Sequence, residues 1–168
     1  MMFDDTVLGL AAQVIDANRA AGLTIATAES CTGGLVAGAL TEIAGSSDVV
    51  DRGFVTYSNE AKLEALGVHL DILDTFGAVS VAVAWAMAQG ALKYSHADVA
   101  VAITGIAGPD GGSAKKPVGT VVFAVARRND PDCKIADVKY YGDLGRSEIR
   151  RQAVLCALEL LMPRAAEG

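Results

Sequence analysis

Imidazoles are almost missing from this chain: His69 and His96 are the only two among 168 residues. A zinc site built from the usual three or four nitrogen and sulfur ligands is therefore not expected. Cysteine is scarce as well. Cys31, Cys133 and Cys156 are odd in number and show no metal-ligand spacing, which fits reduced thiols better than a disulfide framework. No apolar run approaches the ~20 residues needed to span a bilayer. The first residues, Met1-Met2-Phe3-Asp4-Asp5, place acids where a signal peptide carries basic charge, so a cytoplasmic location without membrane attachment is expected. An excess of positive charge is also lacking. With 14 basic and 20 acidic side chains the net charge is −6, which argues against a broad nucleic-acid surface but not against a small anion held by a few placed groups. Only 5% of residues are aromatic, so the core must come from Ala, Val, Leu and Ile. Repeats and Pro-rich linkers are absent, and residues 1–168 read as one domain.

What is present is an alternation of helical and strand patterns. Leu8, Ala11, Ala12 and Ile15 share one face of a helix over 6–20, stopped by Gly22. An apolar, β-branched strand over 23–28 precedes a Gly-containing helix over 33–43 and a second strand over 49–57. A short helix over 59–66 ends at Gly67, and a long Ala-rich one covers 79–94. The near-continuous apolar run 98–104 is the pattern of a strand covered on both faces. Strands over 118–127 and 135–141, joined by the turn Asn129-Asp130-Pro131-Asp132, suggest a hairpin. The last helix, 147–162, carries Ile149, Ala153, Cys156 and Leu160 on one stripe. This order predicts an α/β fold, a three-layer α/β/α sandwich on a mixed, mostly parallel sheet. In such sheets ligands sit beyond the carboxyl ends of the central strands.

Four segments at those ends can carry chemistry. In Ala28-Glu29-Ser30-Cys31-Thr32-Gly33-Gly34 a serine hydroxyl and free N–H groups converge at a strand-to-helix turn. Two readings compete: Ser30 attacks a carbonyl whose oxyanion finds donors in place, or Ser30 or Thr32 simply caps the helix. Cys31 is read as a small buried thiol. The run Thr104-Gly105-Ile106-Ala107-Gly108-Pro109-Asp110-Gly111-Gly112 follows a buried strand and offers an anion nest; it lacks the lysine of a Walker A loop and the helix of a dinucleotide fingerprint. As a bare surface loop it would be mobile. Tyr57 and Lys62 flank the end of the second strand, where a buried lysine can serve as a base and a tyrosine can relay or orient a proton; a solvated Lys62 is the alternative. Arg146 and Arg150, four apart at the head of the last helix, share a face suited to phosphate or carboxylate, or else form a solvated patch.

Taken in order, AESCTGG at 28–34, YSNEAKLEALGV at 57–68, GAVS at 77–80, ITGIAGPDGG at 103–112 and KPVGT at 116–120 resemble the C-terminal domain of the competence/damage-inducible protein CinA and the stand-alone nicotinamide-nucleotide amidases of that family. The resemblance implies hydrolysis of nicotinamide mononucleotide to nicotinic acid mononucleotide and ammonia, in pyridine nucleotide recycling. It implies a Ser30 nucleophile assisted by Lys62 and Tyr57, with no metal or organic cofactor. Cys31, Thr32, Gly33, Gly34, Thr104, Gly105, Ile106, Ala107 and Gly108 would contact the nucleotide, and Arg146 would receive its phosphate. A homodimer or higher homo-oligomer is implied, with no nucleic-acid or membrane partner. One departure stands out: where the family commonly shows Gly-Asp-Arg before the last helix, this chain has Gly142-Asp143-Leu144-Gly145-Arg146, so Asp143 is displaced from the arginine. Two other functions remain expectations of the same residues, a non-catalytic nucleotide-binding module in competence or DNA damage, and an amidase of another small amide.

Overall fold

The computed structural model describes residues 2–165. Five strands form one sheet in the order β2-β1-β3-β4-β5: β1 (Ile25–Glu29), β2 (Val50–Val55), β3 (Val99–Gly105), β4 (Thr120–Arg127) and β5 (Asp130–Tyr140). β1 pairs in parallel with both β2 and β3, while β4 is antiparallel to β3 and to β5. The sheet is mixed, as expected, and four of its five strands run in one direction. Six helices cover it: α1 (Asp5–Ala21), α2 (Leu35–Thr41), α3 (Asn59–Leu66), α4 (Leu70–Phe76), α5 (Val81–Lys93) and α6 (Arg146–Leu160). Helices α1, α2 and α6 pack on one face and α3, α4 and α5 on the other, which makes the three-layer sandwich. Among the described residues no helix is long and apolar enough to cross a membrane.

Side-chain size differs between the two faces of the sheet. In β3 and β4, Val99, Val101, Ile103, Val121, Phe123 and Val125 point toward α1, α2 and α6. Ala100, Ala102, Ala124 and Ala126 point the other way, joined by Ala26 and Ala28 of β1. Such an alanine-lined face lets a helix approach closely, and α5 meets it with Ala84, Ala88 and Ala91. α3 in turn crosses α5 at Gly90, where an added Cβ would collide with the Leu66 carbonyl. This close seat sets where α3 lies, and α3 carries Lys62.

Three expectations are corrected. The hairpin turn is shorter than the four residues expected, because β5 begins at Asp130 and Arg128 and Asn129 alone make the turn. Pro131 is tolerated inside β5 because β5 is an edge strand with one unpaired side. α4 was not foreseen, being only seven residues long with no side-chain cap from His69. Finally, the buried stripe of α1 is Val7, Ala11, Val14, Ile15 and Asn18, rotated from the predicted face.

Candidate active site

The carboxyl ends of β1, β2 and β3 converge on the turn that follows β1. Ser30 is anchored through its own backbone, donating its N–H to the Ile103 carbonyl at 2.9 Å. Its side chain is 7% exposed. Gly33 (φ 57°) and Gly34 (φ 98°) follow in the left-handed region, and two successive residues there turn the chain tightly into α2.

A left-handed Gly34 at the N-cap supplies no side chain to cap α2. The cap comes instead from Glu29, the last residue of β1, whose side chain is wholly buried. Its Oε1 accepts from the Val36 N–H at 2.9 Å and the Thr32 hydroxyl at 2.7 Å. Oε2 accepts from the Ala37 N–H at 3.0 Å and the Thr27 hydroxyl at 3.2 Å. Neither Ser30 nor Thr32 is therefore the cap. The Ser30 hydroxyl is left for another partner, which is the lysine of α3.

Lys62 is 1% exposed, and its Nζ stands 3.0 Å from Ser30 Oγ. The same nitrogen donates to the carbonyls of Thr56 at 3.0 Å and Tyr57 at 3.2 Å. Burial of the amine holds its pKa below the ordinary lysine value. A neutral amine has two N–H donors and one lone pair. The carbonyls accept only, so in that neutral form the two hydrogens would go to Thr56 and Tyr57 and the lone pair would face Ser30 Oγ. The solvated alternative for Lys62 is thus excluded: the amine is buried and held by two backbone carbonyls and Ser30. Ser58 begins the helix that delivers it, accepting from the Ala61 N–H at 3.0 Å.

Other residues named from sequence fall around this pair with distinct contacts. Tyr57 contributes its backbone to Lys62, while its ring is 63% exposed and its hydroxyl accepts from Arg146 at 3.2 Å. Arg146 also donates to the Gly108 carbonyl at 2.7 Å, so one guanidinium joins the glycine loop to the end of β2. Arg150 donates through Nε to the Cys31 carbonyl at 3.0 Å and passes beside Gly33. The Cys31 thiol is buried, and burial pushes it up to about 12, so it is a packing group rather than a nucleophile. Thr104 spends its hydroxyl on the Ala78 carbonyl at 2.9 Å, pinning the link between α4 and α5. Ile106 uses both backbone groups at the entry to β4, donating to the Thr120 carbonyl and accepting from the Gly119 N–H at 2.8 Å each. Gly105 abuts Cys31 Sγ, and Ala107 is buried in the core. Among the described residues the N–H groups of Thr32 and Gly34 donate to no protein acceptor, in contrast to the two α2 N–H groups that Glu29 takes.

The larger surface grooves lie away from this pair. The largest, of 550 Å³, is an open groove along the glycine loop from Pro109 to Val118 and does not reach the pair. One of 410 Å³ runs between α3, α4 and α5, and one of 290 Å³ lies between α5 and the β4–β5 turn. None is lined by Ser30 or Lys62, so chemistry rather than concavity locates the site. No cluster of three or more potential metal ligands occurs among the described residues.

Relatives agree with this assignment of fold. The chain is 52% identical over 160 residues to the nicotinamide-nucleotide amidohydrolase PncC of Escherichia coli, covering 95% of each chain. It is 51% identical over 150 residues to the protein of that name from Enterobacter agglomerans, covering 89% of this chain and 90% of the relative. Among solved structures, the competence/damage inducible protein CihA of Agrobacterium tumefaciens superposes with a TM-score of 0.91 at 57% identity over 95% of both chains. The family model of the CinA C-terminal domain matches residues 8–165. The chain belongs to the CinA C-terminal domain family.

Proposed function

We propose that this amidohydrolase cleaves the carboxamide of nicotinamide mononucleotide, giving nicotinic acid mononucleotide and ammonia, with Ser30 as nucleophile and Lys62 as its base. The observation that carries the reading is the 3.0 Å approach of a buried lysine amine to a serine hydroxyl, with two backbone carbonyls holding the same nitrogen in place. The name borne by relatives 52% and 51% identical over nearly the whole chain supplies the substrate.

In the first half-reaction Lys62 takes the proton as Ser30 Oγ attacks the carboxamide carbon. The oxyanion is received by the N–H groups of Thr32 and Gly34. Collapse breaks the C–N bond, and the proton held on Lys62 goes to the departing nitrogen, which leaves as ammonia. A nicotinoyl ester on Ser30 remains. Water then attacks this ester, Lys62 takes a proton from the water and returns it to Ser30 Oγ, and the acid is released. The ammonium form of Lys62 has three hydrogens for three neighbours, the carbonyls of Thr56 and Tyr57 and the Ser30 oxygen, so both protonation states are accommodated without rearrangement.

Arg146 and Arg150 lie on the approach to Ser30, and their charge suits the nucleotide phosphate. Binding energy gained there positions the carboxamide for attack. Tyr57, through its hydroxyl on Arg146, shapes this entry. The residues invoked need no metal or cofactor. A second copy of the chain is proposed to accompany the active form, on the family resemblance alone.

Ammonia release from nicotinamide mononucleotide tests the reading. Wild type is expected to turn over, and Ser30→Ala is expected to lose at least ~10⁴-fold in kcat, the scale on which removal of an attacking serine acts. Turnover surviving in Ser30→Ala removes Ser30 as nucleophile. Mononucleotide binding without ammonia release by wild type removes the amidase reading in favour of a binding module. Release from other small amides, but not from this nucleotide, would move the substrate.

A further inference from the structure

None of the proton transfers above uses Glu29, yet it is the one wholly buried carboxylate beside the nucleophile. We infer that Glu29 is a positioning residue for the amidase reaction, its carboxylate setting the Ser30–Gly34 turn so that the nucleophile and the oxyanion donors are held ready. The inference rests on the amidase reading above.

The geometry bears it in three ways. First, among the described residues no cation pairs with Glu29. Its two oxygens are filled by two N–H groups and two hydroxyls, all of them on β1, the turn or α2. A buried charge so satisfied is a demanding way to cap a seven-residue helix, and stability alone would be served by a small polar N-cap. The left-handed Gly34 forecloses that simpler solution, because its backbone favours a residue without a side chain. Second, the bonds are selective. Glu29 takes the N–H groups of Val36 and Ala37, while those of Thr32 and Gly34 stay uncommitted. The positive end of α2 is thus occupied by protein, and the donors left for substrate belong to the turn. Third, the backbone of Glu29 reaches the other half of the pair: its carbonyl accepts from the Thr56 N–H at 2.9 Å, and the Thr56 carbonyl in turn holds Lys62. One residue therefore ties the nucleophile's turn and the base's anchor to the same strand end.

Glu29→Gln keeps size and shape but replaces one oxygen by an NH₂ group. Placed toward either N–H of α2, that group sets donor against donor. The expected result is a kcat for ammonia release lowered by about 30-fold or more, with KM within about threefold of wild type, the pattern of an interaction realised in the transition state. Thr27→Val guards against a Glu29→Gln protein that does not fold. It removes one hydroxyl donor to Glu29 from inside β1, on a residue that makes no contact with substrate, and is expected to lower kcat several-fold at unchanged KM. Thr27→Ser, which restores the hydroxyl, is expected to restore kcat. Wild-type kcat in folded Glu29→Gln or in Thr27→Val overturns the inference. So does a loss that tracks only the unfolded fraction in thermal melts, or one confined to KM. If wild type itself releases no ammonia from the mononucleotide, the amidase reading fails instead, an outcome separate from these.

Discussion

Gly90→Ala places a methyl group where α3 crosses α5, and its effect can be worked out from two opposing quantities. In an exposed helix the change would stabilise the protein by about 0.5–1 kcal/mol, because alanine restricts the unfolded chain and glycine does not. At Gly90 the new Cβ would run into the Leu66 carbonyl oxygen and lie 3.0 Å from the Leu66 Cα, both of them backbone atoms that cannot rotate away. Overpacking of this kind typically costs 1–3 kcal/mol, so a net loss of stability is expected. Relief requires α3 to back off by ~1 Å, and Lys62 rides on that helix one turn before Leu66. A displacement of ~1 Å in a catalytic group costs roughly 10²-fold in rate. The assay is kcat for ammonia release together with the melting temperature. Gly9→Ala is the control. Gly9 lies in α1 with nothing within 4 Å of its added Cβ, so the melting temperature should rise by about 1–4 °C at unchanged kcat. A Gly90→Ala protein that melts higher and keeps full kcat would refute the claim that Gly90 seats the helix carrying the base.

Further outcomes follow from the protonation of individual groups. Since Lys62 must be neutral to accept the Ser30 proton and burial lowers its pKa, kcat/KM should rise with pH and level off at a midpoint below 10.5. Lys62→Arg, which stays charged, should abolish this activity, and full activity in that variant would exclude Lys62 as the base. Cys31, held up to about 12 by burial, should resist alkylation by iodoacetamide, and Cys31→Ala should retain amidase activity within about tenfold. Rapid alkylation of Cys31 in the folded protein would contradict this. The Asp4 carboxyl is held at about 2 by hydrogen bonds from the Arg151 guanidinium and the Val7 N–H, against an ordinary 3.8. Its folded pKa is depressed, so its stabilising contribution is complete above 3.8 and fades as pH falls through about 2. Thermal melts of Asp4→Ala and wild type should therefore differ most above that window and converge below it; a gap unchanged by acid would count against the Asp4–Arg151 contact.

Much of the fold was legible because long patterns dominate it. The apolar runs of β3 and β4 and the Ala-rich α5 identify themselves by composition, and their order implies the sandwich. α4 is not legible because seven residues with no side-chain cap leave little pattern. The start of β5 was misplaced because proline suggests a turn unless the strand is known to be an edge.

At the site, Ser30, Lys62, Tyr57 and Arg146 were singled out from residue type, but their contacts were not legible. Lys62 is oriented by two backbone carbonyls, and backbone carries no sequence signal. The Tyr57 hydroxyl turned out to bond Arg146, so the tyrosine meets Lys62 through its main chain. The capping role of Glu29 is not legible in the motif itself. An acid closing an apolar strand, immediately before a turn containing two glycines, was the available signal that it caps the helix beyond.

The most direct test of the Ser30–Lys62 assignment is rapid-quench mass spectrometry during turnover of nicotinamide mononucleotide. A nicotinoyl-nucleotide ester on the peptide containing Ser30, formed and lost at rates compatible with kcat and missing in Ser30→Ala, is the predicted result. Full ammonia release by a protein that never carries the ester, or an adduct on Cys31 or another residue, would contradict it.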